Sequence, residues 1–302
     1  MYWEKLGRIT LPDIFYSTFE YCSVPVALYI SGNVFRIFAS TRDEFNRSLP
    51  FYFDLDLLQL KTFNLSKVPL MELGELGTFD DNGVMPSHII RVSSNRLLMY
   101  YIGWNTSTTV PFRNSIGIAY SDDNGLTFRR SFKGPVLDRT REEPHFTASC
   151  HVMLENNVYR LWYLSCVGWE MIDGRPRHKY HIKYAESLDA INFKRDGVVA
   201  IDFKNNEEYA ISVPRVVFDN SIYKMWYSWR GDYYKIGYAE SVDGIYWNRH
   251  DDEVGITTSG SGWDSDMICY PYIIDHEGKR YMLYNGNGYG KSGMGIAVLN
   301  QS

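Results

Sequence analysis

The sequence predicts an all-β protein: one β-propeller domain over residues 1–302, built of five four-stranded blades, with the N-terminal strand completing the last blade. Three observations predict it. A strand–turn–strand unit recurs five times at a period of about 60 residues, which is a repeat architecture. A Ser-x-Asp turn recurs at one point of three of the units. The two ends of the chain read as complementary parts of a single unit.

Each unit opens on a short strand led by small or apolar residues: SVPVALYI (23–30), VMPSHIIRV (84–92), SCHVML (149–154), SVPRVVF (212–218) and CYPYIID (269–275). Pro25, Pro86, Cys150, Pro214 and Pro271 mark the register, at spacings of 61, 64, 64 and 57. A polar turn follows, then an aromatic-rich strand: NVFRIFAS (33–40), NRLLMYYIGW (95–104), NVYRLWYLS (157–165), SIYKMWYSW (221–229) and KRYMLYNGN (279–287). No segment keeps a 3.6-residue apolar period over helix length, and DLDLLQLKT (54–62) alternates well enough to read as a strand.

The turn motif comes later in the unit. Residues 119–128 read AYSDDNGLTF, 184–193 YAESLDAINF and 238–247 YAESVDGIYW. Ser and Asp oxygens capture backbone N–H groups, and Gly supplies positive φ. Asp123, Asp189 and Asp243 therefore read as hairpin turn formers. An aromatic residue follows, and two residues beyond it a base: Arg130, Arg195 and Arg249. The fifth unit stops after its third strand, GMGIAVLN (293–300), while Tyr2-Trp3-Glu4-Lys5 aligns with Tyr246-Trp247-Asn248-Arg249. Pairing the N-terminus there removes an open sheet edge.

Composition narrows the function. A net charge of -5 argues against nucleic acid and anionic membrane surfaces as partners. The sequence contains 24 Tyr, 16 Phe and 8 Trp, which suit strands and stacking on sugar rings. The N-terminus shows no signal-peptide pattern, and no apolar run is long enough to insert in a membrane. Cys22, Cys150, Cys166 and Cys269 lie far apart and read as buried free thiols, so the expected location is cytoplasmic. No cofactor motif is present, and nothing in the sequence sets an oligomeric state.

Propeller connectivity puts the Ser-x-Asp turns on one face and the longer loops on the other, where binding concentrates. The long-loop face carries Glu20, Asp80, Asp81, Glu142, Glu143, Glu207, Glu208, Asp264 and Asp266 just before the inner strands. Arg42, Asp43, Trp104, Trp169, Trp229 and Arg230 stand at the ends of second strands; His88, His145, His151 and Arg215 lie on or beside inner strands. Acids, His, Arg and Trp around one funnel are what a carbohydrate or sugar-phosphate site requires.

STRDEFNRS (40–48), DDNGVMPS (80–87), YYIGWN (100–105), HIKYAES (181–187), MWYSWRG (225–231), GWDSDMICYP (262–271) and YNGNGYG (284–290) resemble the five-bladed glycosidase-like propellers, the superfamily of glycoside hydrolase families 32, 43 and 130. They are most similar to glycosidase-like propellers of bacterial surface-polysaccharide gene clusters. The resemblance implies cleavage or transfer of a glycosidic bond, by a glycoside hydrolase or phosphorylase. Families 32 and 43 use acids from the first three blades; the resemblance maps Asp81 and Glu143 onto the second and third, with Glu143 as general acid, Asp81 as base or pKa partner, and Asp264 as an alternative base. Cys22-Ser23-Val24-Pro25 stands where the first-blade acid is expected, and Asp264 is a further candidate acid. A family-130-like reaction, with one acid and a bound phosphate, matches Arg42, His88, His151 and Arg215. Ca²⁺ or phosphate in the funnel is compatible with this reading. The alternative is a catalytically inactive carbohydrate-binding or scaffold propeller in polysaccharide biosynthesis.

Overall fold

A computed structural model describes residues 1–12, 15 and 20–300. Five antiparallel units of four strands follow one another. The first is β2 (Glu20–Ser31), β3 (Val34–Arg42), β4 (Ser48–Asp56) and β5 (Lys61–Phe63); the second is β6 (Gly83–Arg91), β7 (Leu97–Thr106), β8 (Phe112–Ser121) and β9 (Arg129–Arg130). The third is β10 (Thr147–Glu155), β11 (Val158–Ile172), β12 (Arg175–Ser187) and β13 (Val199–Ile201); the fourth is β14 (Ala210–Asp219), β15 (Ile222–Arg230), β16 (Tyr234–Ser241) and β17 (Asn248–Arg249). The last joins β18 (Cys269–His276), β19 (Lys279–Asn285) and β20 (Met294–Leu299) to β1 (Trp3–Arg8). The expected strand thus pairs with the far end of the chain, Trp3 opposite Leu299. One parallel bridge links the first two units, Ser48 with Gly83, and another links the third and fourth, Tyr180 with Ala210. The segment 54–62 is not one strand: β4 ends at Asp56, residues 57–60 turn, and β5 begins at Lys61.

All five inner strands break register where the sequence marks the unit. Val24, Val213 and Tyr270, each followed by proline, take φ of 55, 51 and 56°. A β-branched or bulky residue there is strained, so the surroundings must hold it. Side chains of neighbouring units do so by accepting the freed N–H. Ser87 Oγ takes Cys150 N (2.7 Å), Ser149 Oγ takes Val213 N (2.9 Å), Ser228 Oγ takes Tyr270 N (2.7 Å), and Asn285 Oδ1 takes Val24 N (2.9 Å). These four bonds run in succession from the second unit to the third, the third to the fourth, the fourth to the fifth and the fifth to the first; three are buried and the one at Tyr270 is partly buried, where an unmade hydrogen bond is costly.

The Ser-x-Asp motifs are turns. Asp243 Oδ1 accepts from Ile245 N (2.8 Å), Tyr246 N (3.0 Å) and Ser241 Oγ (2.9 Å), and Asp123 and Asp189 bind their own turns the same way. Asp243→Ala is expected to cost about 1–2 kcal/mol in urea denaturation, from two lost backbone bonds, with ligand binding at the opposite end of the strands unchanged. A folded variant without binding would contradict this assignment of faces.

Candidate functional site

A cavity of about 420 Å³ opens where the second strands of three units end and the inner strands of all five begin. Strained Val24, Val213 and Tyr270 line it beside Ser149 and Ser212. Aromatic side chains from all five units surround it: Tyr21, Trp104 and Phe112, Phe146 and Tyr180, Tyr234, and Tyr289. The phenols of Tyr180 and Tyr234 are hydrogen-bonded at 2.5 Å, and the His178 ring is stacked on Tyr180 at 4.6 Å with 5° between planes. Burial pushes the His178 pKa down to about 4, so the imidazole is neutral at pH 7.

Two cations face this aromatic wall. Arg42, at the end of β3, has its guanidinium 4.4 Å from the Trp104 ring centroid and donates Nη1 to the Asn46 carbonyl (2.9 Å). Arg230, at the end of β15, donates Nη1 to Tyr289 Oη (2.6 Å) and lies over the Tyr209, Tyr234 and Tyr289 rings. Among the described residues neither has a carboxylate partner within salt-bridge distance, although Asp43 adds a weak attraction at Arg42. No described Asp or Glu lines the cavity.

Asp81, Glu143 and Asp264, the acids expected to be catalytic, are held by separate sets of partners and none of them is in this lining. Glu143 is 5% exposed and accepts from Tyr163 Oη (2.8 Å), Lys183 Nζ (3.0 Å) and Arg195 Nη1 (3.1 Å). Asp264 is 1% exposed and accepts from Lys5 Nζ (2.7 Å) and Tyr284 Oη (3.2 Å). The same cluster appears in the second unit, where Asp80 takes Arg130 Nε (2.8 Å) and Tyr101 Oη (3.0 Å). In the fourth, Arg249 bridges Glu208 and Asp251, and Tyr227 Oη donates to Asp251. Each cluster joins an acid or acids from a loop, a second-strand tyrosine and the base two residues past the aromatic that follows the third strand, on the fourth strand itself in three units and just before it for Arg195. Gly117 and Gly237 make room for two of the tyrosines; a Cβ there would stand 2.3 and 2.5 Å from the Tyr101 and Tyr227 rings. In the first unit the tyrosine position holds Ala39, opposite Phe51, and the site is apolar. Asp81 binds Asn105 Nδ2 (2.8 Å) and Gly77 N (2.9 Å) outside the cavity.

Of the expected binding residues, Arg42, Trp104 and Arg230 line the cavity. Asp43 is committed to the Arg47 turn. His145 is half-buried and outside the lining. Trp169 supports the wall from behind, against Phe112 and Phe146, and Trp229 packs against Lys235. His88, His151 and Arg215 are gathered apart from the lining, the two imidazoles 4.1 Å from each other. The sequence reading missed His178, Tyr180, Tyr234, Tyr270 and Tyr289. Among the described residues no group of three or more His, Cys, Asp or Glu is placed to hold a metal ion. All four cysteines are free and buried, and no described helix is long and apolar enough to cross a membrane.

No family model matches the chain. It is 39% identical over 302 residues to two Mycobacterium tuberculosis proteins, "Uncharacterized protein Rv1502" of strain H37Rv and "Uncharacterized protein MT1551" of strain CDC 1551, with 99% of each chain covered. Among solved structures it is similar to BT0996 in a complex with RGII (TM-score 0.77, 17% identity, 99% of this chain and 92% of that one). It is also similar to a thermostable family-43 glycoside hydrolase (0.68, 16%, 92% and 88%) and to the catalytic domain of Coprinopsis cinerea GH62 α-L-arabinofuranosidase (0.69, 14%, 100% and 97%). At such identities the likeness is one of fold.

Proposed function

Because the chain belongs to the family of the mycobacterial protein Rv1502, within the glycosidase-like propeller superfamily, we propose that its five units are the blades of one closed propeller over residues 1–302, and that its funnel binds an acidic saccharide or sugar phosphate without cleaving it. One observation carries the choice of ligand: Arg42 and Arg230, from non-neighbouring units, stand in an aromatic cavity that no described carboxylate lines. A guanidinium without a protein anion is matched by the carboxylate of a uronic acid or by a phosphate. Trp104 and the tyrosines supply flat apolar faces for a sugar ring, and the phenols, Asn46 and Asn114 supply hydrogen bonds to hydroxyls. A structural neighbour solved in complex with RGII is consistent with a saccharide ligand.

Hydrolysis by the two-carboxylate route needs two carboxyl groups about 5–9.5 Å apart on either side of the scissile bond. With none in the lining, the hydrolase or phosphorylase reading rests on the fold alone. The test is calorimetric titration with a panel of neutral sugars, uronic acids, sugar phosphates and nucleotide sugars. The expected result is binding confined to the anionic members, with no product after long incubation. Arg42→Ala and Arg230→Ala should each weaken it about 10- to 100-fold, the range of a charge-assisted hydrogen bond. Equal affinity for neutral sugars, or turnover of any member, would overturn the reading.

A further inference from the structure

Arg215 lies on β14, 1% exposed, and no described carboxylate balances its charge. Its Nη1 donates to the carbonyls of Cys150 (3.1 Å) and Pro214 (3.2 Å), and its guanidinium is 5.0 Å from the Tyr272 ring centroid. Nε and Nη2 have no partner. Those two atoms form one edge, whose parallel N–H groups make the fork that binds an anion side-on. Elsewhere in the molecule that fork is filled by a carboxylate: Arg36 grips Asp54 at 2.8 and 3.1 Å, Arg96 grips Asp122 at 2.8 and 2.9 Å, and Arg280 grips Asp275 at 2.6 and 2.9 Å. Arg96 is half-exposed, and yet it is paired. Arg215, far more deeply buried, presents the same edge to no acid. Two more unpartnered polar atoms lie in this region, His88 Nδ1 and His151 Nδ1: the two rings are 4.1 Å apart, and they adjoin Ser87 and Cys150, which are bonded to each other and, through the Cys150 carbonyl, to Arg215. Either nitrogen of a neutral imidazole can carry the donor proton.

We infer that the Nε/Nη2 edge of Arg215, with the His88 and His151 rings beside it, is a site for a small monovalent anion of halide size that neutralises the guanidinium at the junction of the inner strands. Burying an isolated guanidinium is costly unless an opposite charge or hydrogen bonds compensate it. Two carbonyls and one aromatic face satisfy half of the group, and a bound anion completes both the charge and the fork. Because none of the three residues belongs to the ligand cavity, an ion here acts on stability. This site is independent of what the funnel binds.

The probes are chloride and bromide. Thermal unfolding is followed from 5 to 500 mM sodium chloride, with ionic strength held constant by sodium gluconate, whose anion is far larger than a halide. A millimolar Kd predicts a rise in Tm of roughly 4 °C for the protein. A bromide-soaked crystal should show an anomalous peak in contact with both Arg215 Nε and Nη2. Arg215→Met should abolish the chloride response; if that variant does not fold, the bromide peak and the wild-type titration decide. A Tm that follows ionic strength regardless of the anion, together with no bromide peak at Arg215, would overturn the inference.

Discussion

Glu143→Gln should destabilise the protein by about 3–5 kcal/mol in urea denaturation, because it leaves Lys183 and Arg195 buried without their anion. Lys183 and Arg195 side chains are 13% and 14% exposed, so water restores little of the lost compensation. Asp264→Asn should cost less, since the Lys5 side chain is 25% exposed and can turn outward. A catalytic acid would behave the other way: its amide variant would keep the stability and lose only chemistry. A Glu143→Gln protein within about 1 kcal/mol of the wild type would therefore return Glu143 to consideration as a functional group.

The second large effect is acid lability. Burial holds the His88 imidazole down at about 3 and His178 at about 4, and His151 lies well below its usual value for the same reason. In the unfolded chain each takes a proton near pH 6.5. Between that value and the folded pKa the unfolded state binds more protons, so stability rises with pH, and it is lost as pH falls from about 6.5 towards 4. His88 alone should cost about 2 kcal/mol by pH 5, and the three together several. The depressed carboxylates, such as Asp251, withdraw their contribution only below pH 4 and leave this window to the imidazoles. Urea midpoints at pH 7.5, 6 and 5 measure the slope, and His88→Gln should remove about 1.4 kcal/mol per pH unit from it. Stability unchanged between pH 7.5 and 5 would mean that the imidazoles are hydrated in solution.

The architecture was legible because it is written as repetition. Pro25, Pro86, Cys150, Pro214 and Pro271 mark the register breaks of the inner strands, and Tyr2-Trp3-Glu4-Lys5 foretold the pairing of β1 with β20. The roles of the acids were not legible from residue type and loop position, which are alike for a catalyst and a clamp. A signal did exist. Tyr101, Tyr163, Tyr227 and Tyr284 share one second-strand position, and Arg130, Arg195, Arg249 and Lys5 share one after the third strand, beside the Ala that each of those third strands repeats. The first unit has Ala39 in place of the tyrosine, opposite Phe51, in an apolar cluster. Reading the three positions together marks the cluster as structural. The tyrosines of the cavity carried no such signal. Tyr270 reaches it through a strained register break and Tyr289 through a turn with φ of 63°, so neither has a spacing that a periodic pattern foretells.

The four bonds from Ser87, Ser149, Ser228 and Asn285 to neighbouring inner strands also determine how the molecule comes apart. A linear array of repeats has terminal members with one neighbour each, and it frays from them. Here every unit meets one on either side, and residues 3–8 are locked to 294–299. In the closed propeller proposed above no member is terminal, so losing one removes two interfaces at once and leaves a neighbour's strained inner strand unsupported. Melting should therefore be a single transition across all 302 residues, with no partly unravelled species accumulating on the way.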